Sequence, residues 1–84
     1  GVSLQVYPNP VQEILYLMPK TTVSGKGHLR LYDVKGKVVF QQQIQWEPYQ
    51  LCEIKLPVLS GGYYQLEVQH LQQPAVTKLL ILQD

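Results

Sequence analysis

Proline and glycine interrupt this chain at short intervals and divide it into short apolar runs. All six prolines lie between such runs, and most glycines cluster in the same places. Because proline lacks a backbone N–H and glycine lacks a Cβ, both residues end or turn strands. The runs are rich in Val, Ile, Leu and Tyr and alternate with the two-residue period of a strand, whereas no window keeps the apolar spacing of a helix. The sequence therefore predicts an all-β fold.

Seven strands are expected, over residues 2–7, 12–18, 27–33, 37–45, 50–56, 62–70 and 76–82. Alternate apolar residues define one face of the second, third and sixth strands: Leu15 and Leu17, Leu29 and Leu31, and Tyr64, Leu66 and Val68. Seven short strands at this spacing are typical of two packed antiparallel sheets. We therefore predict an antiparallel β-sandwich with Greek-key connections.

The small size and low charge of the chain exclude several functional classes. Its 84 residues make one small domain, and seven strands with short turns leave no insertion for an active site. Charged residues make up 15% of the chain and the net charge is +1, with no basic block. This balance argues against binding nucleic acid by neutralising phosphates. The longest apolar run, residues 79–82, is too short to span a membrane, and no signal peptide opens the sequence.

Two segments carry distinct structural signals. Residues 33–36, Asp-Val-Lys-Gly, predict a type I turn with a G1 bulge, because an Asp carboxylate can accept a nearby backbone N–H and Gly36 can take a positive φ. The run over residues 76–82 is apolar on both faces, so it is either covered or forms a sheet edge that pairs with a partner. We expect that such edge strands can support a dimer.

Residues with catalytic or metal-binding chemistry are few and scattered. Glu67 and His70 have Glu-x-x-His spacing, but that motif needs a helix, and in a strand the two side chains point to opposite faces. His28 and His70 are interpreted as solvated imidazoles at strand ends. The only cysteine, Cys52, cannot form an internal disulfide and is interpreted as a small residue packed in a strand. We expect no catalytic residue, no metal and no cofactor.

An aromatic sugar-binding surface is an alternative to a domain without a ligand. Trp46 and Tyr49, together with the outward-facing Tyr16, Tyr32 and Tyr63, could form a platform for sugar rings. The same residues also fit cross-strand aromatic pairing on a sheet face, which needs no ligand.

Four patches, taken in order, carry a family resemblance. The first is Tyr-Pro-Asn-Pro at residues 7–10, and the second is Leu-Tyr-Asp-Val-Lys-Gly-Lys at residues 31–37. The third is Gly-Tyr-Tyr-Gln-Leu-Glu-Val at residues 62–68, and the fourth is Thr-Lys-Leu-Leu-Ile at residues 77–81. Their order and spacing resemble the C-terminal sorting domain (type A) of type IX secretion substrates, over nearly the whole chain.

The resemblance implies a fold, a role and a set of partners. The fold is a seven-stranded, immunoglobulin-like antiparallel sandwich at the C-terminus of a larger secreted protein. The role is a non-enzymatic signal that takes a fused cargo through the periplasm and across the outer membrane to the cell surface. The implied partners are the type IX shuttle, translocon and sortase-like peptidase. The peptidase usually cleaves the domain off as the cargo is attached to an anionic lipopolysaccharide.

The resemblance also implies site residues. The family motif falls on Tyr7, Pro8, Asn9, Pro10, Asp33, Gly36, Lys37, Gly62, Tyr64 and Leu66. The terminal signal falls on Lys78, Leu79, Leu80, Ile81 and Leu82. A receptor could capture this terminal strand by strand addition, but simple core burial explains the same residues, with either Leu79 and Ile81 or Leu80 and Leu82 facing inward. A rigid bend equally explains the Pro-Asn-Pro motif, and turn chemistry explains Asp33 and Gly36.

The end of the chain leaves the fate of the domain open. Members of the family commonly close with a lysine-rich stretch, whereas this sequence has a single lysine there, Lys78. The alternative is therefore a retained β-sandwich module that binds a partner protein or a surface polysaccharide.

Overall fold

The computed structural model describes residues 3–20, 24–70 and 76–83. These residues form seven strands: β1 (Ser3–Tyr7), β2 (Ile14–Lys20), β3 (Gly25–Tyr32), β4 (Val38–Trp46), β5 (Cys52–Lys55), β6 (Gly62–His70) and β7 (Val76–Leu82). All seven predicted strands occur, with ends that differ by a few residues. The largest difference is in β2, which starts and ends two residues later than predicted. In addition, β3 starts two residues earlier than predicted, and β5 is shorter.

The predicted end of β2 at residue 18 was wrong because Pro19 lies within the strand. Pro19 pairs with Leu4 of β1, whereas the pairing of β2 with β5 extends only from Ile14 to Leu17. At Pro19 the strand therefore has a neighbour on one side only. Proline is tolerated where no ladder hydrogen bond is required of its nitrogen.

The strands form two sheets, ordered β1-β2-β5 and β4-β3-β6-β7, in which all neighbouring strands are antiparallel. The β2–β3, β4–β5 and β5–β6 connections cross from one sheet to the other. This arrangement confirms the predicted antiparallel β-sandwich. Immunoglobulin constant-type sandwiches place the fourth strand beside the fifth, whereas here β4 stays beside β3.

The turn between β3 and β4 explains this placement. The N–H of Gly36 donates to the Asp33 carbonyl at 3.0 Å, and the N–H of Asp33 donates to the Lys37 carbonyl at 2.9 Å. Asp33 Oδ1 accepts the N–H groups of Lys35 and Lys37, both at 2.9 Å. Gly36 has a φ of 83°, which glycine adopts without steric cost. The predicted turn with its G1 bulge is confirmed.

The core lies between the sheets and is filled by alternate residues of the strands. The most deeply buried side chains are Val11, Leu15, Leu17, Leu29, Leu31, Ile54, Leu66, Val68 and Leu80. The predicted inward faces of the second, third and sixth strands are therefore correct. Alternation predicts them because each strand of a sandwich has one buried and one solvated face.

Trp46 belongs to this core, so Trp46 and Tyr49 do not form the aromatic platform that the sequence left open as an alternative. The Trp46 side chain is 2% exposed, whereas Tyr49 is 62% exposed. The indole packs closely over Gly27 of β3. A Cβ on Gly27 would lie 2.6 Å from Trp46 Nε1 and in hard contact with the Gln69 carbonyl oxygen. Glycine at this position thus makes room for the tryptophan.

Tyr64 anchors the connection that leads into β6. Its ring is almost fully buried, and its hydroxyl donates to the Ser60 carbonyl at 2.6 Å. A buried tyrosine near the start of a strand, bonded a few residues back along the chain, is the tyrosine corner of Greek-key sandwiches. The hydrogen bond fixes the start of β6, where Gly62 has a φ of 141°.

We expect Gly27→Ala to destabilise the domain by about 1–3 kcal/mol, because the added methyl group overpacks the contact with Trp46 and Gln69. Urea unfolding of the purified chain measures the change. Lys26→Ala, at an exposed position of the same strand, serves as the control and should alter stability by less than about 0.5 kcal/mol. Equal stability of the two variants would contradict the close packing of Gly27.

We expect Tyr64→Phe to lower the free energy of unfolding by about 1–2 kcal/mol, because the Ser60 carbonyl loses its hydroxyl partner. The matched control is Tyr63→Phe, since this neighbouring tyrosine is 61% exposed. Urea unfolding of both variants compares the same chemical change at a buried and an exposed ring. A Tyr64→Phe variant as stable as Tyr63→Phe would show that the hydroxyl does not anchor the connection.

Candidate functional site

The terminal strand β7 lies at the edge of the four-stranded sheet and pairs with β6 on its inner side. Leu80 and Leu82 point into the core and are 0% and 5% exposed. Leu79 points outward and is 61% exposed, Lys78 is exposed, and Ile81 is half-buried. Of the two inward faces that the sequence left open, the pair Leu80 and Leu82 is the buried one.

The Tyr-Pro-Asn-Pro motif lies against the outer edge of β7. Asn9 Nδ2 donates to the Leu79 carbonyl at 3.0 Å, and Asn9 Oδ1 accepts the Ile81 N–H at 2.8 Å. The next residues continue the contact, since Val11 donates its N–H to the Ile81 carbonyl and accepts the Gln83 N–H, both at 2.8 Å. The first and last of the four predicted patches are therefore hydrogen-bonded to each other.

The geometry of residues 7–10 suits this position. The Tyr7–Pro8 and Asn9–Pro10 peptide bonds are both cis. Tyr7 stays in β1 and stacks on Tyr16, the residue directly opposite in β2, with ring centroids 5.8 Å apart. The chain leaves β1 after this aromatic pair and reaches β7 of the other sheet two residues later.

The turn motif and the strand motif meet β7 on the outer face of its sheet. A shallow cavity of about 350 Å³ is lined by Asp33, Val34, Gly36, Tyr63, Tyr64, Gln65 and Leu79. Three of these side chains are apolar and well exposed: Val34 by 79%, and Tyr63 and Leu79 by 61% each. Lys37 is exposed in the adjacent turn, whereas Leu66 faces the core. Exposed apolar side chains grouped around a depression are typical of a protein-binding surface.

Polar side chains of β3 and β6 contact each other on this face. Arg30 Nη1 lies 3.6 Å from Glu67 Oε1, and the Tyr32 hydroxyl donates to the same oxygen at 3.3 Å. Arg30 and Glu67 are directly opposite in the sheet register. An ion pair this exposed contributes about 0.2–1 kcal/mol and supports pairing of the strands rather than chemistry.

The residues with reactive side chains do not form a site in the described part of the chain. No group of three or more histidines, cysteines or carboxylates there is arranged to hold a metal ion. Cys52 is partly buried beside the core, and this burial raises the pKa of its thiol, which therefore stays protonated at neutral pH. The side chain of His70 lies outside the described residues.

The prediction for His28 was wrong. It lies within β3 rather than at a strand end, and its Nε2 atom is buried, so the imidazole is not simply solvated. His28 is followed by the buried Leu29, and the residue before it is Gly27, which has no side chain. The sequence pattern gave no sign that the Nε2 atom of this imidazole would be buried.

Sequence reasoning also missed Val11, which lies between the opening motif and β2. Its side chain is fully buried, and its backbone forms an isolated parallel bridge with Leu82. The available signal was an apolar residue directly after Pro10, flanked by the polar Gln12. Ser60 was missed as well, because its contribution comes from a backbone carbonyl that any residue would supply.

The described residues include no helix that is long and apolar enough to cross a membrane. No curated protein and no solved structure gave a significant match to the chain. A family match does exist: the secretion system C-terminal sorting domain matches residues 5–83. The chain therefore belongs to this family of type IX secretion sorting signals, whose members direct proteins to the cell surface or out of the cell.

Proposed function

We propose that this domain is a non-enzymatic recognition element that a fused cargo presents to the type IX shuttle and translocon. The observation that carries the proposal is the position of β7. This strand is the last one of its sheet and exposes Leu79 next to Val34 and Tyr63. Recognition by a receptor requires an accessible surface of defined shape rather than reactive groups.

We assign to the receptor the exposed apolar side chains around the cavity, namely Val34, Tyr63 and Leu79. Val34 comes from the turn, Tyr63 from β6 and Leu79 from β7, so three of the four family patches contribute to one surface. Few interface residues usually carry most of the binding energy, and aromatic side chains are frequent among them. The core residues Leu80 and Leu82 act indirectly, since they fix the strand that presents Leu79.

A sortase-like peptidase then removes the domain as the cargo is transferred to an anionic lipopolysaccharide. In this proposal the peptidase supplies the chemistry and the domain supplies only recognition. The alternative is that the domain stays attached and binds a partner protein or a surface polysaccharide.

We expect Leu79→Glu to reduce surface display of a periplasmic reporter fused ahead of the domain by about tenfold or more, the effect of losing one central apolar contact. Fluorescent labelling of intact cells measures the display. Val58→Glu is the matched control, because Val58 is fully exposed outside the proposed surface. Thermal unfolding of both purified variants should match the unsubstituted chain, since neither side chain belongs to the core.

Deletion of residues 77–84 should abolish display in the same assay, although this variant also loses core residues. A reporter that still reaches the surface after the deletion would refute a signal in the terminal strand. Unchanged display with Leu79→Glu would remove the proposed contact surface.

Mass spectrometry of the mature protein distinguishes cleavage from retention. If the peptidase removes the domain, the mature cargo should lack all peptides of this sequence and carry the mass of a lipopolysaccharide adduct at its new C-terminus. Peptides of this domain found intact on the mature cargo would instead support the retained module.

A further inference from the structure

The side chain of Asn9 forms hydrogen bonds with the outer edge of β7, as the backbone of a neighbouring strand would. A residue in a neighbouring strand offers one carbonyl acceptor and one N–H donor to the edge that it pairs with. The amide of Asn9 offers the same two groups, Oδ1 to the Ile81 N–H and Nδ2 to the Leu79 carbonyl. Val11 then takes the Ile81 carbonyl and the Gln83 N–H with its own backbone.

Together these contacts occupy three outward backbone groups of β7 and one of Gln83, the residue that follows the strand. The groups are the carbonyl of Leu79, the N–H and carbonyl of Ile81, and the N–H of Gln83. We name residues 9–11 the edge segment. It is not a strand of the sheet, yet it satisfies the hydrogen bonds that an additional strand would make.

An uncovered β7 would be prone to pair with another chain. Five of its seven residues are Val, Leu or Ile, and its only charge is on Lys78. Leu79 is exposed on one face, and Leu80 and Leu82 are buried on the other. Long apolar edges with little charge are the edges through which β proteins associate, and natural proteins cover them with loops or charges.

We propose that the edge segment is an intramolecular cover that keeps β7 from pairing with β7 of a second copy of this chain. The inference goes beyond the secretion role, since it concerns self-association of the domain. The sequence led us to expect pairing through the edge strands, and we expect the cover to keep the domain monomeric until the edge segment is released.

A second copy is the occupant that fits this edge. Two β7 strands related by a two-fold axis at Leu80 pair in antiparallel fashion and join the two four-stranded sheets. This pairing puts Leu79 opposite Ile81, Thr77 opposite Gln83 and Lys78 opposite Leu82, so no like charges face each other. It also needs the Leu79 and Ile81 groups that the edge segment occupies, so the two pairings exclude each other.

Asparagine is the residue type that the cover requires at position 9. Its amide supplies one acceptor and two donors. Asn9→Asp keeps the acceptor for the Ile81 N–H but loses the donor and sets a negative charge against the Leu79 carbonyl. Asn9→Ala loses both. Because Asn9 is exposed, neither change opens a cavity in the core.

The test combines amide hydrogen exchange with sedimentation over a range of concentrations of the chain. At micromolar concentration, Asn9→Ala should speed exchange of the Ile81 amide by roughly three- to tenfold, the effect of losing one hydrogen bond. At millimolar concentration the variant should form dimers in which the partner strand displaces Val11 from the Ile81 carbonyl and the Ile81 amide is protected again. The unsubstituted chain and Gln12→Ala, a change at a nearby exposed position, should stay monomeric, and Asn9→Asp should lie between the two.

Three results would overturn the proposal. The first is an Asn9→Ala variant that remains monomeric at millimolar concentration although its Ile81 amide exchanges faster. The second is an Ile81 amide of this variant that exchanges at the rate of the unsubstituted chain. The third is a dimer in which Ile81 stays unprotected, which would place the contact on another edge. If Asn9→Ala fails to fold, Asn9→Asp tests self-association alone, because it keeps the acceptor for the Ile81 N–H and loses only the donor to the Leu79 carbonyl; an Asn9→Asp variant that stays monomeric at millimolar concentration would then overturn the proposal.

Discussion

The hydrogen bonds between the β1–β2 connection and β7 join the two sheets along one side of the sandwich. β7 belongs to the four-stranded sheet, whereas the connection comes from the three-stranded one. Val11 has two roles on this side of the sandwich. Its backbone forms hydrogen bonds with Ile81 and Gln83, and its side chain is fully buried. Buried backbone groups need partners as much as the core needs apolar volume. Val11 supplies both the backbone partners and the apolar volume where the two sheets meet.

The alternation of apolar and polar residues predicted the inward faces of the strands because successive side chains point to opposite faces, and the apolar ones lie on the buried face. It did not predict the burial of Trp46, since a tryptophan at the end of a strand fits a core or a surface equally well. What decides its position is Gly27, where even a methyl group would collide with the indole. This complementarity involves two strands, so no single run of sequence contains it.

Whether the role of a site residue could be predicted depends on how far apart along the sequence the residue and its partner lie. The turn at Asp33 could be derived from sequence because its hydrogen bonds join residues at most four positions apart. Asn9 bonds to Ile81, 72 positions away, and a sequence pattern gives no measure of such a contact. The Pro-Asn-Pro motif was therefore open to interpretation as a rigid bend, and that interpretation leaves out the hydrogen bonds to β7.

Presentation of Leu79 depends on the register between β6 and β7. Tyr64 pairs with Leu80 and Leu66 pairs with Lys78, so the buried Tyr64 and Leu80 lie side by side. A shift of one residue would turn Leu80 outward and bury Leu79, because successive side chains of a strand point to opposite faces. The Tyr64 hydroxyl holds the start of β6 to Ser60 and so opposes such a shift. Tyr64 and Leu66 thus determine which residues of the terminal strand are exposed, although their own side chains remain in the core.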